Sequence, residues 1–198
     1  MYTAIMQEST QNTPVRMYFV AVVLPQQIDE KLLPYKRQMQ EKYGCKVGLK
    51  SPAHITIVTP FWMEEEKESM LRQDIEQLAL NMPAFSVTTA GFSAFKPRTI
   101  FVAVEENATL HRLKKSSDAF FRGKEYKMKI ENRPFHPHIT IATRDLHKKD
   151  FWDAWPRFEK ASCVETAEIT GLSLLKHNGQ KWDVVFTAPF AKHAAAQP

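Results

Sequence analysis

The chain has 198 residues, 43% of them hydrophobic and 25% charged, a globular balance that excludes a fibrous or wholly disordered protein. A net charge of +5 leans mildly toward anionic partners such as phosphates or RNA, but no long basic run makes nucleic-acid binding follow from charge alone. Cys45 and Cys163 are the two cysteines and form no Cys-x-x-Cys, which excludes a disulfide framework and a cysteine-built zinc site and fits a reducing compartment.

No apolar run reaches the ~18–20 residues needed to cross a bilayer. Met1–Pro14 lacks the basic start and apolar stretch of a secretion signal. The expectation is a cytoplasmic, monomeric protein without membrane contact. It comprises a flexible extension over 1–15, one bilobal domain over 16–190 and a flexible tail over 191–198.

Tyr18–Leu24, rich in Val and Phe and closed by Pro25, predicts a strand. A helical stretch follows with Ile28, Leu32, Met39 and Tyr43, and Pro34 inside it predicts a kink or a split. Ala53–Thr59 reads as strand. A helix over Glu64–Leu80 has Glu64, Glu65 and Glu66 at its positive end and Met70, Leu71, Ile75 and Leu78 as its apolar stripe. Phe85–Phe95 reads as strand again.

The second half repeats the order. Ile100–Val104 is a strand, and Phe101-Val102-Ala103-Val104 matches Phe19-Val20-Ala21-Val22 residue for residue. A helix over Asn107–Phe121 has Asn107 as its N-cap and Leu110, Leu113, Ser117, Phe120 and Phe121 inside. His138–Thr143 is a strand, Lys148–Phe158 a helix with Trp152 and Trp155 in its core face, and Val164–Lys176 a strand. Trp182–Thr187 closes the series.

Three anchors recur in the same order. From Phe19 to His54 is 35 positions and from Phe101 to His138 is 37. Gly-apolar-Ser-apolar-apolar-Lys then appears at Gly91–Lys96 and at Gly171–Lys176. The pattern predicts an internal duplication, two β-α-β-α-β lobes around a shared cleft.

The third anchor is the tetrapeptide His-Ile-Thr-Ile, at His54–Ile57 and His138–Ile141. In a strand, residues two apart share a face, so each His lies beside its Thr with the isoleucines on the core side. One such strand alone usually means only a wet sheet face. Two at matching places bring two imidazoles and two hydroxyls into one pocket. Imidazoles titrating near neutrality form a general acid and base, with a rate maximum near pH 7, and hydroxyls can bind the non-bridging oxygens of a phosphate. The motifs hold no carboxylates, and two histidines lack an evident third zinc ligand, so the reading is phosphodiester chemistry without metal or cofactor.

On these residues the chain resembles the 2H phosphoesterase superfamily, in its bacterial 2'-5' RNA ligase-like, or RNA 2',3'-cyclic phosphodiesterase, branch. The likeness runs from Arg16 to Phe190, with Tyr18–Pro25, Ala53–Phe61, Pro97–Val104 and Phe135–Ile141 as supporting stretches. It implies an α+β fold of two pseudosymmetric lobes, each an antiparallel sheet with outer helices, around a central cleft. It also implies metal-independent opening of RNA 2',3'-cyclic phosphates to 2'-phosphates. His54 and His138 would be catalytic and Thr56 and Thr140 phosphate-binding. By analogy His54 would protonate the leaving 3' oxygen and His138 would activate water, an order the pseudosymmetry leaves reversible. Such proteins often carry a basic residue directly after the second motif strand; here Thr143 stands there and Arg144 comes one later.

Arg144, placed on the cleft face by alternation from His138, is a candidate substrate-binding residue, as are Arg133 and Tyr18. His136 reads as a rim residue, Phe19 and Phe101 as core, and Lys114–Lys115 as a solvated helix face. The expected partner is an RNA end or a small cyclic-phosphate nucleotide. Rival functions are hydrolysis of ADP-ribose 1'',2''-cyclic phosphate or a 2'-5'-linked oligonucleotide, RNA 2'-5' ligation, and a non-catalytic RNA- or nucleotide-binding module.

Overall fold

The computed structural model describes residues 13–191. The expected extension and tail lie largely outside these. Inside them, Val15 already begins the first strand, and Ala191 is bridged to Pro83.

Among the described residues, eight strands and four α-helices run β1 (Val15–Val23), α1 (Gln26–Tyr43), β2 (His54–Glu64), α2 (Glu68–Leu80), β3 (Phe85–Phe95), β4 (Thr99–Val104), α3 (Ala108–Arg122), β5 (His138–Ala142), α4 (Lys148–Lys160), β6 (Thr166–Ile169), β7 (Gly171–His177) and β8 (Trp182–Pro189). They build two antiparallel four-stranded sheets, ordered β2-β1-β7-β8 and β5-β4-β3-β6. The α+β architecture of two related lobes is as expected. The lobes are not the contiguous halves, however. The repeated Gly-x-Ser strands trade places: β3 pairs with β4 of the second half, and β7 returns to pair with β1 of the first. Short hairpin connections favour pairing β3 with the strand that follows it directly, a preference no repeat pattern displays.

The helices cross over as well. α1 lies against β5, and its Tyr35 packs on Phe92 and Phe158; α3 lies against β2. Each half's first helix therefore backs the other half's motif strand. Leucines, isoleucines and valines from both sheets join in one core that includes Val20, Val22, Ile55, Ile57, Val102, Ile139 and Ile141.

Local expectations fail in readable ways. α1 runs through Pro34 unbroken, because the proline is exposed while Leu32, Lys36 and Met39 stay buried around it. That burial offsets the one helix hydrogen bond proline removes. Glu64–Glu66 do not open α2; Glu65–Lys67 form a separate 3-10 turn, and Glu65 and Glu68 instead grip Lys176. Met70 and Trp152 are 48% and 50% exposed, so the apolar stripes are narrower than their composition suggests. Val164–Lys176 is two strands, β6 and β7, which join different sheets. The Asn107 cap holds: its side chain accepts a hydrogen bond from the Leu110 amide.

Candidate active site

Both motif strands are edge strands, and they meet: β2 borders one sheet, β5 the other, and the two lie against each other. Alternation does what the sequence demands. Ile55, Ile57, Ile139 and Ile141 are at most 1% exposed, while His54, Thr56, His138 and Thr140 remain partly open on the other side.

The two histidines are held alike. His54 Nδ1 lies 2.8 Å from the Pro52 carbonyl and His138 Nδ1 lies 2.7 Å from the His136 carbonyl. A carbonyl only accepts, so Nδ1 carries the proton in both rings and Nε2 is left with its lone pair available. Among the described residues neither Nε2 has a hydrogen-bond partner, nor has the Thr56 or Thr140 hydroxyl. Each ring also rests on a phenylalanine: Phe19 at 4.8 Å from His54 and Phe101 at 4.9 Å from His138, centroid to centroid. Phe19 and Phe101 are 3% and 6% exposed, so they pack as expected, but what they pack is the imidazoles.

Two hollows flank these strands, and Thr56 lines both. One, of about 400 Å³, is walled by Phe95, Phe135, His136 and His138, with Lys114, Arg133 and Glu131 at its polar side. The other, of about 120 Å³, holds His54, Thr140, Thr143, Arg144, Ser51 and Trp182. Arg133 and Arg144 therefore stand at the cleft, one by each histidine. Arg144 arrives there although β5 stops at Ala142, so it is the following turn that carries it. Its counterpart in the first half is Pro60, which lies within the longer β2 and lines the same small hollow.

Tyr18 is a correction. Its side chain points to the opposite face of β1 from Phe19, is 0% exposed, and donates its hydroxyl to Glu68 at 2.9 Å. Burial and that hydrogen bond push its pKa up to about 12. It belongs to a packed Tyr18–Glu68–Lys176 group outside the cleft. Lys114 is the reverse case, since a residue read as solvated helix face lines the larger hollow and bonds Asp118. Phe95, Phe135 and Trp182 also escaped the sequence reading. Phe95 sits edge-on to His138 at 5.2 Å, and Trp182 edge-on to Phe19 at 4.6 Å.

Burial governs the electrostatics. It pushes the His54 imidazole down to about 4, opposed in part by the hydrogen bond to Pro52; Lys36 and His138 lower it further and Asp29 raises it. His138 is lowered for the same first reason, against the pull of the His136 carbonyl. Both rings are therefore neutral at pH 7, and an anion between them would favour their protonation.

The first half reaches across to the second just beside this site. A 3-10 turn over Val47–Lys50 sets Gly48 against β5 so closely that a Cβ there would sit 2.0 Å from the Ile141 carbonyl oxygen. Asp145, just past β5, accepts hydrogen bonds from the Lys46 and Val47 amides.

Among the described residues, no three His, Cys, Asp or Glu side chains converge as a metal-binding group, and no helix is long and apolar enough to cross a membrane.

Comparison with known proteins agrees with this geometry. A Geobacillus kaustophilus protein carrying a provisional phosphoesterase name is 27% identical over 175 residues, covering 86% of this chain and 94% of its own. The RNA 2',3'-cyclic phosphodiesterase of Bacillus subtilis is 25% identical over 176 residues, covering 85% and 93%. The crystal structure of Escherichia coli LigT complexed with 3'-AMP superposes with a TM-score of 0.64 at 17% identity, over 90% of this chain and 99% of that one, so the fold is LigT-like. The model of the 2'-5' RNA ligase superfamily matches residues 25–181, and the chain belongs to that family of phosphoesterases.

Proposed function

We propose that this phosphoesterase hydrolyses cyclic phosphodiesters without a metal, with an RNA 2',3'-cyclic phosphate as substrate and a 2'-phosphate as product. The observation that carries the reading is the matched tethering of His54 and His138 through Nδ1, which leaves two Nε2 atoms and two free threonine hydroxyls at one cleft. The phosphate sits between the motifs, its non-bridging oxygens bonded by Thr56 and Thr140. Water attacks phosphorus in line with the 3' oxygen and gives a proton to His138 Nε2. The P–O3' bond breaks, and the 3' oxygen takes the Nε2 proton of His54, which the bound anion holds as an imidazolium. One water is consumed; the 2' ester bond survives. Arg133 and Arg144 contribute charge to binding the anion. The role order follows the family resemblance.

Bacillus RNA 2',3'-cyclic phosphodiesterase and the 3'-AMP complex of LigT support the substrate class. The domain over 16–190 would work as a single cytoplasmic unit. The test is a short RNA ending in 2',3'-cyclic phosphate, incubated with EDTA, with the product isomer identified. A 2'-phosphate formed at an undiminished rate is expected. Activity lost in EDTA and restored by Mn²⁺ or Zn²⁺, or a 3'-phosphate product, would overturn the mechanism.

A further inference from the structure

The duplicated motifs are held alike at Nδ1 but not behind it. The carbonyl that orients His54 belongs to the Pro52–Ala53 peptide, and the N–H of that same peptide is donated to Asp29 Oδ1 at 2.9 Å. Asp29 Oδ1 also accepts from Lys36 Nζ at 3.0 Å, and Lys36 Nζ donates to the Ser51 carbonyl at 3.3 Å. Asp29 and Lys36 are seven residues apart on α1, hence on one helix face. The Lys36 side chain is only 3% exposed, a burial an ammonium tolerates only with such partners. The segment is pinned once more by the Leu24 amide, which donates to the Ala53 carbonyl.

The second half offers no such handle. The carbonyl that orients His138 belongs to the His136–Pro137 peptide, whose nitrogen carries no hydrogen. One histidine is coupled through a peptide group to an ion pair whose lysine is buried; the other cannot be.

We propose that Asp29 and Lys36 are positioning residues that act on His54 through the Pro52–Ala53 peptide and give it a proton affinity tuned independently of His138. A carboxylate at one end of a peptide unit polarises the carbonyl at the other, strengthening the hydrogen bond that holds the imidazole. The Asp29 charge favours the protonated ring and the Lys36 charge disfavours it, so the pair sets a balance. The other charged or titratable groups acting on or facing His54 are His138, across the motif strands, and Arg144, across the small hollow, with Phe19 and Trp182 as aromatic walls. The inference gives His54 a separate control within the two-histidine reading above, and it rests on that reading only for its kinetic consequence.

The test is an NMR titration of the histidine side chains in the substrate-free protein and in two variants. Asp29→Asn keeps an oxygen for the Ala53 amide and removes the charge; Lys36→Met keeps the buried stem and removes the ammonium. The His54 pKa should fall in Asp29→Asn and rise in Lys36→Met, by roughly 0.5–1.5 units each. His138 should hold within a small fraction of that. In the unsubstituted protein the Ala53 amide resonance should titrate in step with His54, a readout that needs no variant to fold. Movement of both histidines together, an unmoved His54 in both variants, or an Ala53 amide indifferent to His54 would each overturn the proposal. None of these readouts involves substrate, so their outcome is separate from whether cyclic phosphates are hydrolysed. If they are, kcat should change in the two variants and KM should not.

Discussion

The two motif strands present the same four chemical groups from different surroundings. Around His54 the chain is closed: an ion pair with a buried lysine behind it, a 3-10 turn beside it, and a hollow of about 120 Å³ before it. Around His138 it is open, with an irregular approach segment and an aromatic-walled hollow of about 400 Å³. Duplication supplies a matched pair of imidazoles, but a symmetric pair does not decide which ring gives a proton and which takes one. Under the proposed mechanism the surroundings must make that difference. The two sites differ outside the repeated tetrapeptides: at Asp29 and Lys36, at Pro60 against Arg144, and at the proline before His138.

The largest expected effect is shared by both sides. His54→Ala and His138→Ala should each lower kcat by roughly 10²–10⁴-fold, and the double variant should be little worse than the poorer single one. Thr56→Ala and Thr140→Ala should cost less, about 1.5–3 kcal/mol of transition-state stabilisation. Thr56, which lines both hollows, should cost more than Thr140. Steady-state kinetics beside thermal melting decides the matter. Activity that falls only as folded protein is lost would make these positions structural, and equal threonine effects would erase the comparison.

Gly48→Ala probes the seam between the two sides. The added methyl meets backbone, the Ile141 carbonyl, so β5 or the turn must move. Overpacking of this kind costs about 1–3 kcal/mol, or roughly 2–12 °C of melting temperature in a chain of this size. Because Thr140 precedes Ile141, a shifted β5 should also lower kcat by tenfold or more. A variant that melts lower but turns over normally would show that the seam stabilises without aligning.

The smallest effect is on stability against pH, and it should separate the two histidines. The unfolded chain protonates His54 at about 6.5 and the folded chain only at about 4, so between those values the unfolded state holds more protons. Stability is then highest above pH 6.5 and declines as pH falls toward 4. Melting curves at pH 7 and pH 5 should show the decline, and His54→Gln should flatten it more than His138→Gln. For the same reason kcat/KM should peak on the acid side of 6.5, below the neutral optimum that unperturbed imidazoles suggest.

Much of this was legible in the sequence, for identifiable reasons. Strand alternation alone places His54 with Thr56 and His138 with Thr140, and the Asn107 cap follows from side-chain chemistry that acts over three residues. What sequence did not show depends on contacts between distant segments. Tyr18 and Phe19 are adjacent aromatics, and only the direction of β1 decides that Phe19 meets the cleft and Tyr18 meets Glu68. Lys114 looked like any helix-face lysine until α3 came to rest against β2. Asp29 and Lys36 gave a local signal, a seven-residue spacing, but nothing in it named the Ser51–Ala53 segment as their target.

The exchanged strands have a consequence for the order in which the molecule can be made. As the chain leaves the ribosome, the sheet that forms last is the one begun first. β3, β4, β5 and β6 are complete once Ile169 has emerged, whereas β1 must wait for Leu175 to reach Phe19 before its second edge is covered. Until then the N-terminal sheet is a two-stranded ribbon with β1 open along one side, the kind of edge that pairs with neighbouring chains. A stop codon just before Gly171 would spare both His-x-Thr strands and still leave a chain prone to aggregate, with the proposed catalytic groups all translated and the N-terminal sheet that carries half of them unfinished.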